Sequence, residues 1–193
     1  MKNKNNVPSP AVFLDRDGTI NHDKHYLSDE KDLKIYSFAK KSILKLQQAG
    51  FKIVIVTNQS GIARGFFSEG KLKKIHNKLI ALLKEQGIKI DGIYYCPHGP
   101  DDICDCRKPK TGMALQAAKD LNIDLQKSYT IGDSVRDYLL GYNFGGKGVL
   151  VLTGHGKKQS LKTEKEKQKP LAVVKNLYQA ANVIMADYKN RKK

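Results

Sequence analysis

Short apolar runs alternate with stretches of helical periodicity along most of the chain. Ala11-Val-Phe-Leu14 reads as a buried strand stopped by Asp15. Ser37 is a candidate helix cap, followed by Ala39, Ile43, Leu44 and Leu46 at helical spacing, with Gly50 as the stop. Residues 52–57 are β-branched and apolar on both faces, the pattern of a parallel strand covered by helices. Ser68 caps a longer amphipathic helix with Leu72, Ile75, Leu79, Leu82 and Leu83, which ends at Gly87. Further strands are predicted at 92–96, 129–132 and 149–152, and further helices at 111–121, 134–144 and 171–188. This alternation predicts an α/β fold, a Rossmann-like parallel sheet with helices on both faces. Ligands of such sheets bind beyond the carboxyl ends of the strands.

The 193 residues suit one domain. Its core is expected at about 11–154 plus the C-terminal helix at 171–188, with tails at 1–9 and 189–193. Residues 155–170 are poor in apolar side chains and are expected to form a mobile loop. No apolar run approaches the roughly 18–20 residues of a membrane span, and no signal-peptide pattern opens the chain. A soluble, cytoplasmic protein without membrane partners is the expectation.

Charge adds less than its size suggests. The net charge is +16, but eleven Lys/Arg against three Asp/Glu lie between His155 and Lys193, and residues 1–10 add two Lys and no acid. Only five of the 35 basic residues are Arg, the type preferred for bidentate phosphate and base contacts. Nucleic acid is therefore not expected as the partner. Gly141-x4-Gly146-Lys147 nearly spells a P-loop, but Gly148 follows and the segment does not lead from strand to helix. His76 and His155 are placed on a solvated helix face and in a loop, and Phe66, Phe67, Tyr94 and Tyr95 in the core.

The strand ends carry the chemistry. After the first strand come Asp15, Asp17, Gly18 and Thr19; after the second, Thr57, Asn58, Gln59, Ser60 and Gly61. A Cys/His cluster and Arg107-Lys108-Pro109 follow the third, and Asp133, Ser134 and Asp137 the fourth. Clustered carboxylates repel and call for a hard cation, and Mg²⁺ takes one or two carboxylates with substrate phosphate and water. Lys108 and the Thr57 hydroxyl could hold phosphate oxygens. An ionised Asp can attack phosphorus, and a second Asp two residues on can serve as acid and then base. The set is built for phosphoryl transfer.

The same residues resemble the four motifs of the haloacid dehalogenase (HAD) superfamily of phosphatases. These are Phe13-Leu-Asp15-Arg-Asp17-Gly-Thr19, Thr57-Asn58, Lys108, and Gly132-Asp133 with Asp137, in that order. The resemblance implies Asp15 as nucleophile and Asp17 as acid/base. It also implies Mg²⁺ on Asp15, Asp133 and the backbone carbonyl of Asp17, with Thr57 and Lys108 on the phosphoryl group. Helical caps of this superfamily are inserted after the first or second motif. The segments 21–37 and 58–68 are too short for one, so loops alone should roof the site.

All three cysteines fall in Cys96-Pro-His98-x5-Cys104-Asp-Cys106. Cys96, His98, Cys104 and Cys106 form a complete tetrahedral set for structural Zn²⁺; free thiols and a redox pair are the competing readings. Such a metal would staple the loop that delivers Arg107 and Lys108. A zinc loop followed by Cys-Arg-Lys-Pro resembles the branch of D,D-heptose 1,7-bisphosphate and histidinol-phosphate phosphatases. The segments Thr57-Asn-Gln-Ser-Gly-Ile-Ala-Arg64-Gly65 and Arg107-Lys-Pro-Lys-Thr-Gly-Met113 favour the heptose type. By that resemblance Asp23, His25, Tyr26, Asn58, Gln59, Ser60 and Arg107 touch the substrate. Ser134 departs from it, standing where some relatives carry Lys.

The expectation is a Mg²⁺-dependent phosphomonoesterase acting on a small sugar phosphate, the 7-phosphate of a manno-heptose 1,7-bisphosphate, in nucleotide-activated heptose synthesis. Its rivals are a histidinol-phosphate phosphatase, a polynucleotide 3′-phosphatase and a non-catalytic nucleic-acid-binding module. No heptad or exposed apolar stripe announces a partner, so a monomer is expected.

Overall fold

The computed structural model describes residues 7–191. Its strands are β1 (Ala11–Leu14), β2 (Lys52–Asn58), β3 (Gly92–Cys96), β4 (Tyr129–Gly132), β5 (Lys147–Val151) and β6 (Ala172–Val174). Its helices are α1 (Ala39–Gln48), α2 (Glu69–Lys84), α3 (Gly112–Leu121), α4 (Val135–Asn143), α5 (Gly156–Ser160) and α6 (Leu177–Asn190). The strands form one sheet in the order β3-β2-β1-β4-β5-β6, and every neighbouring pair is parallel.

Side-chain alternation divides the interior into two layers. Val12, Leu14, Ile53 and Ile55 face a core shared with Ile43 and Leu46 of α1, Ile75 and Leu79 of α2, and Leu177 and Ile184 of α6. Ala11, Phe13, Val54 and Val56 face the other core, with Met113, Ala114 and Ala117 of α3 and Leu140 of α4. Because both faces are covered, the strands can be apolar throughout, and β1 is buried at all four positions. The chain reverses its direction of sheet growth between β1 and β4. Their carboxyl ends open a crevice there, where parallel sheets bind ligands.

The α/β fold with a parallel sheet and helices on both faces is as expected, but several local readings change. The stretch expected to open the last helix at 171 instead supplies a sixth strand, Ala172–Val174, which pairs with β5. The helix starts only after Asn176, whose side chain caps the backbone NH groups of Tyr178 and Gln179. Residues 155–170, expected as a mobile loop, contain α5 and a 3-10 turn at Thr163–Lys165. Ser160 and Thr163 close these turns with local hydrogen bonds that low apolar content does not reveal.

Ser68 caps α2 through Lys71 N as predicted, whereas α1 starts after Phe38 without a side-chain cap. The tails prove shorter than expected where they are described. Ser9 bridges to Ile123, and α6 runs to Asn190. Residues 1–6 and 192–193 lie outside the described residues. No helix among the described residues is long and apolar enough to cross a membrane.

Candidate active site

Asp15 leaves the end of β1 with its backbone NH on the Ile131 carbonyl of β4, and Asp133 leaves the neighbouring end of β4. This pairing sets the two carboxylates side by side. Asp137 joins them from the first turn of α4, and ligand oxygens of Asp15, Asp133 and Asp137 lie within 4.8 Å of one another. All three are buried.

One cation reaches into the cluster. Lys108 Nζ lies 2.6 Å from Asp15 Oδ1 and 2.6 Å from Asp137 Oδ1, and also donates to the Val56 carbonyl at 2.8 Å. Burial alone would lower the Lys108 pKa, but the two carboxylates outweigh it and raise it well above the ordinary value, so the ammonium stays charged. Its backbone is clamped by the Asn58 side chain. Lys108 N donates to Asn58 Oδ1 at 3.0 Å, and Asn58 Nδ2 donates back to the Lys108 carbonyl at 3.3 Å.

One ammonium does not balance the site. Burial, then the neighbouring carboxylates, pushes Asp133 up to about 8; burial pushes Asp15 up to about 7 despite Lys108. Such shifts mark carboxylates whose combined charge one ammonium does not offset. The donor set is all oxygen, which suits a hard divalent cation such as Mg²⁺. Asp137 is the least free of the three. Its Oδ2 accepts from Ser134 N at 2.9 Å in a capping box, and its Oδ1 faces Lys108.

Asp17 points elsewhere. Its carboxylate accepts from Nε and Nη2 of Arg16, from Asn21 Nδ2 at 2.9 Å and from Gln59 Nε2 at 3.0 Å. Burial works against its charge, yet Arg16 and these donors hold its carboxyl below the usual range. Gln59 also donates to Thr57 Oγ1 at 2.8 Å, which links the end of β2 to the same turn.

Glycine shapes the floor at two positions. Gly18 has φ +78° and Gly154 has φ +53°, and a Cβ on either would lie 2.2 or 2.1 Å from Asp133 Oδ2. Their bare backbones therefore let the β1 and β5 loops close on Asp133, which Thr153 Oγ1 ties further by donating to the Gly18 carbonyl at 2.6 Å.

A cleft of about 280 Å³ opens above this floor. It is lined by every residue expected to be catalytic (Asp15, Asp17, Thr57 and Lys108) and by every expected substrate contact (Asp23, His25, Tyr26, Asn58, Gln59, Ser60 and Arg107). Asp133 lines it too. His25 and Tyr26 reach the rim through successive positive φ angles of 41° and 69°. The roof is made of loops, since 21–37 holds only a 3-10 turn at Glu30–Asp32 and 58–68 holds no helix.

Several side chains not expected from the sequence also line the cleft. His155, expected in a loop, sits just beyond β5; its NH donates to Asp133 Oδ2 at 2.7 Å and its Nε2 lies 2.8 Å from Asp23 Oδ2. The signal was available, because the residues after the fifth strand occupy the same sheet edge as those after the other four. Arg136 and Gln159 also line the cleft. His76 is not on a solvated face; it is buried, with Nε2 3.1 Å from Arg16 Nη1. Phe66, expected in the core, is exposed and meets the Tyr26 ring edge-on at 4.6 Å.

The Cys/His loop closes as a unit. Ligand atoms of Cys96, His98, Cys104 and Cys106 lie within 4.8 Å of one another. Cys96 Sγ is 3.9 Å from Cys104 Sγ and 3.6 Å from His98 Nδ1, which is 3.2 Å from Cys106 Sγ. The edge of a tetrahedron of zinc thiolates is about 3.8 Å, from Zn–S bonds of about 2.3 Å. The cluster is thus compatible with zinc and too open for a disulfide. Arg107 Nη1 donates to the His98 carbonyl at 3.1 Å, so the loop and the cleft are joined.

An aspartate pair at adjacent strand ends, a buried lysine and a parallel sheet with a loop roof define the class of phosphoryl-transfer hydrolases with a HAD-like core. The HAD-hydrolase-like family model matches residues 105–180. The chain is 45% identical over 171 residues to D-glycero-beta-D-manno-heptose-1,7-bisphosphate 7-phosphatase of Haemophilus ducreyi, covering 84% of this chain and 92% of that protein. It is 48% identical over 123 residues to a probable D-glycero-D-manno-heptose-1,7-bisphosphate 7-phosphatase of Thermoplasma volcanium, covering 64% of this chain and 84% of that protein. The crystal structure of D,D-heptose 1,7-bisphosphate phosphatase from B. bronchiseptica, complexed with magnesium and phosphate, superposes with a TM-score of 0.83 at 34% identity. That match covers 92% of this chain and 99% of that one. The chain belongs to this family of HAD-like heptose bisphosphate phosphatases.

Proposed function

We propose that the chain removes the 7-phosphate of D-glycero-D-manno-heptose 1,7-bisphosphate, as the names of its sequence relatives say of them. The observation that supports it is Asp15 and Asp133 buried side by side with Lys108 between Asp15 and Asp137, beneath a cleft lined by amides, hydroxyls and arginines. Such a lining suits a polyhydroxylated sugar.

Asp15 and Asp133, with the backbone carbonyl of Asp17, would hold Mg²⁺, which when bound neutralises the carboxylates and the phosphate oxygens. A carboxylate oxygen of Asp15 attacks phosphorus, and the bond from phosphorus to the sugar oxygen breaks. Asp17, carrying a proton, passes it to that oxygen. The resulting aspartyl-phosphate is then attacked by water, whose proton Asp17 takes, so that inorganic phosphate leaves and Asp15 is restored. Lys108 holds phosphoryl oxygens, with the Thr57 hydroxyl beside them. Because Asp17 rests on Arg16 as a carboxylate, it must loosen from that fork to carry a proton. Zn²⁺ on the four loop ligands would fix the segment from Cys96 to Lys108. The reading also takes the enzyme as a cytoplasmic monomer.

The test compares phosphate release from both anomers of heptose 1,7-bisphosphate, histidinol phosphate and a 3′-phosphorylated oligonucleotide. Turnover is expected to be fastest on a heptose bisphosphate by at least about tenfold in kcat/KM. Faster release from histidinol phosphate or the oligonucleotide would overturn the assignment.

A further inference from the structure

The cleft grades from a buried floor to an open rim. Asp15, Thr57, Lys108 and Asp133 are buried, whereas His25, Arg136 and His155 are the exposed residues of the lining. The reacting phosphate must lie at the floor, on Asp15. Anything carried at the far end of an extended substrate therefore meets the rim. His155 Nε2 is already held by Asp23, and the half-buried Arg107 spends Nη1 on the His98 carbonyl. Arg136 has no ion pair and no side-chain hydrogen bond among the described residues, and its charge is permanent.

Its position in α4 is unfavourable for structure. Arg136 is the second residue of the helix, where the positive end of the macrodipole disfavours a cation. Nor does the backbone there offer an anion site of its own. Ser134 N donates to Asp137, Arg136 N to Ser134 Oγ, and Asp137 N to the Ser134 carbonyl. Arg136 lines the cleft, and its guanidinium is unspent among the described residues. Arg107 follows β3 and Arg136 follows β4, so the two lie on either side of the nucleophile's strand in the sheet order.

We infer that Arg136 is a specificity residue that binds the second phosphate of a bisphosphate substrate, the one that is not hydrolysed. The inference rests on the proposed sugar-bisphosphate reading and deepens it. It assigns a preference for two-phosphate over one-phosphate sugars to a single rim side chain.

The experiment measures the ratio of kcat/KM for bisphosphate over monophosphate within each variant, which does not depend on the fraction folded. Two pairs are used: heptose 1,7-bisphosphate with heptose 7-phosphate, and fructose 1,6-bisphosphate with fructose 6-phosphate. For Arg136→Ala the ratio is expected to fall about tenfold, carried by KM of the bisphosphate, while Arg136→Lys keeps most of it and Arg136→Glu loses more. A purely structural role would lower both members of a pair alike. An unchanged ratio in Arg136→Ala, or a wild-type protein with no bisphosphate preference in either pair, overturns the inference. If the preference appears with fructose esters but heptose esters are not turned over, the heptose reading fails. The collapse or persistence of the ratio in Arg136→Ala still decides the role of Arg136.

Discussion

Nη1 of Arg16 lies 3.1 Å from Nε2 of His76, with the Arg16 side chain fully buried and the imidazole nearly so. A guanidinium can only donate, so His76 must offer an unprotonated Nε2. Burial first and the Arg16 charge second depress the His76 pKa from 6.5 to about 4. Arg16 in turn grips Asp17, so a histidine of α2 stands directly behind the acid/base residue of the proposed reaction.

The pH dependence of stability follows. Between pH 6.5 and about 4 the unfolded chain binds a proton at His76 that the folded chain refuses. The stability from this group is complete above pH 6.5 and is lost as the pH falls toward 4, by up to about 3 kcal/mol. His76→Gln, which keeps an acceptor without titrating, should flatten that part of the curve. Urea unfolding at pH 7, 5.5 and 4.5 checks it; equal slopes for both proteins would exclude a neutral, buried His76.

Much of this was legible in the sequence, and the gaps have physical causes. Apolar runs on both faces revealed β1, β2 and β4, and the polar residues just beyond them revealed Asp15, Thr57 and Asp133, because a parallel sheet leaves its strand ends facing one crevice. β6 escaped since its three residues are only partly covered, with Val173 exposed. His76 reads as polar punctuation on an amphipathic helix. Only a buried arginine sixty residues away explains its burial. Arg136 is an exposed side chain inside α4, and exposure leaves no hydrophobic pattern to read.

Replacing Asp15 with Asn should separate chemistry from folding. The amide is nearly isosteric and carries no charge to desolvate, and Lys108 keeps Asp137 and the Val56 carbonyl. Phosphate release is expected to fall about 10³-fold or more, with Tm within about 4 °C of the parent. Single-turnover assays and a thermal melt suffice. Activity within tenfold of the parent would remove Asp15 as nucleophile.

Gly18→Ala tests the closeness of the β1 loop to Asp133. The new methyl would have to occupy space 2.2 Å from Asp133 Oδ2, at a φ of +78°. Loss of about 2–3 kcal/mol and a several-fold weaker Mg²⁺ requirement curve are expected. Gly50→Ala is the control, since its φ is +90° but nothing lies within 4 Å of the added Cβ. It should show the strain without the Mg²⁺ effect. Identical Mg²⁺ dependence in both variants would sink the proposed place of Asp133 in the metal site.

The Cys96–Cys106 loop is expected to bind zinc in solution. Burial pushes the Cys106 thiol up to about 12 and raises Cys96 for the same reason. At Cys104 burial is outweighed by hydrogen bonds that hold it below its ordinary value, so Cys96 and Cys106 are the thiols that must give up protons to a cation. Metal binding should therefore tighten with pH, and purified protein should carry about one zinc per chain. Cys106→Ser should lose it. The loop also holds the cleft, through Arg107 on the His98 carbonyl and Lys110 Nζ on the Cys104 carbonyl at 2.6 Å. Removing one ligand is accordingly expected to raise KM several-fold and to lower Tm, whereas kcat falls less, because Lys108 remains clamped by Asn58. Elemental analysis of both proteins beside their kinetics decides it. A parent protein without zinc, or a variant that keeps its full complement, would refute the four-ligand site.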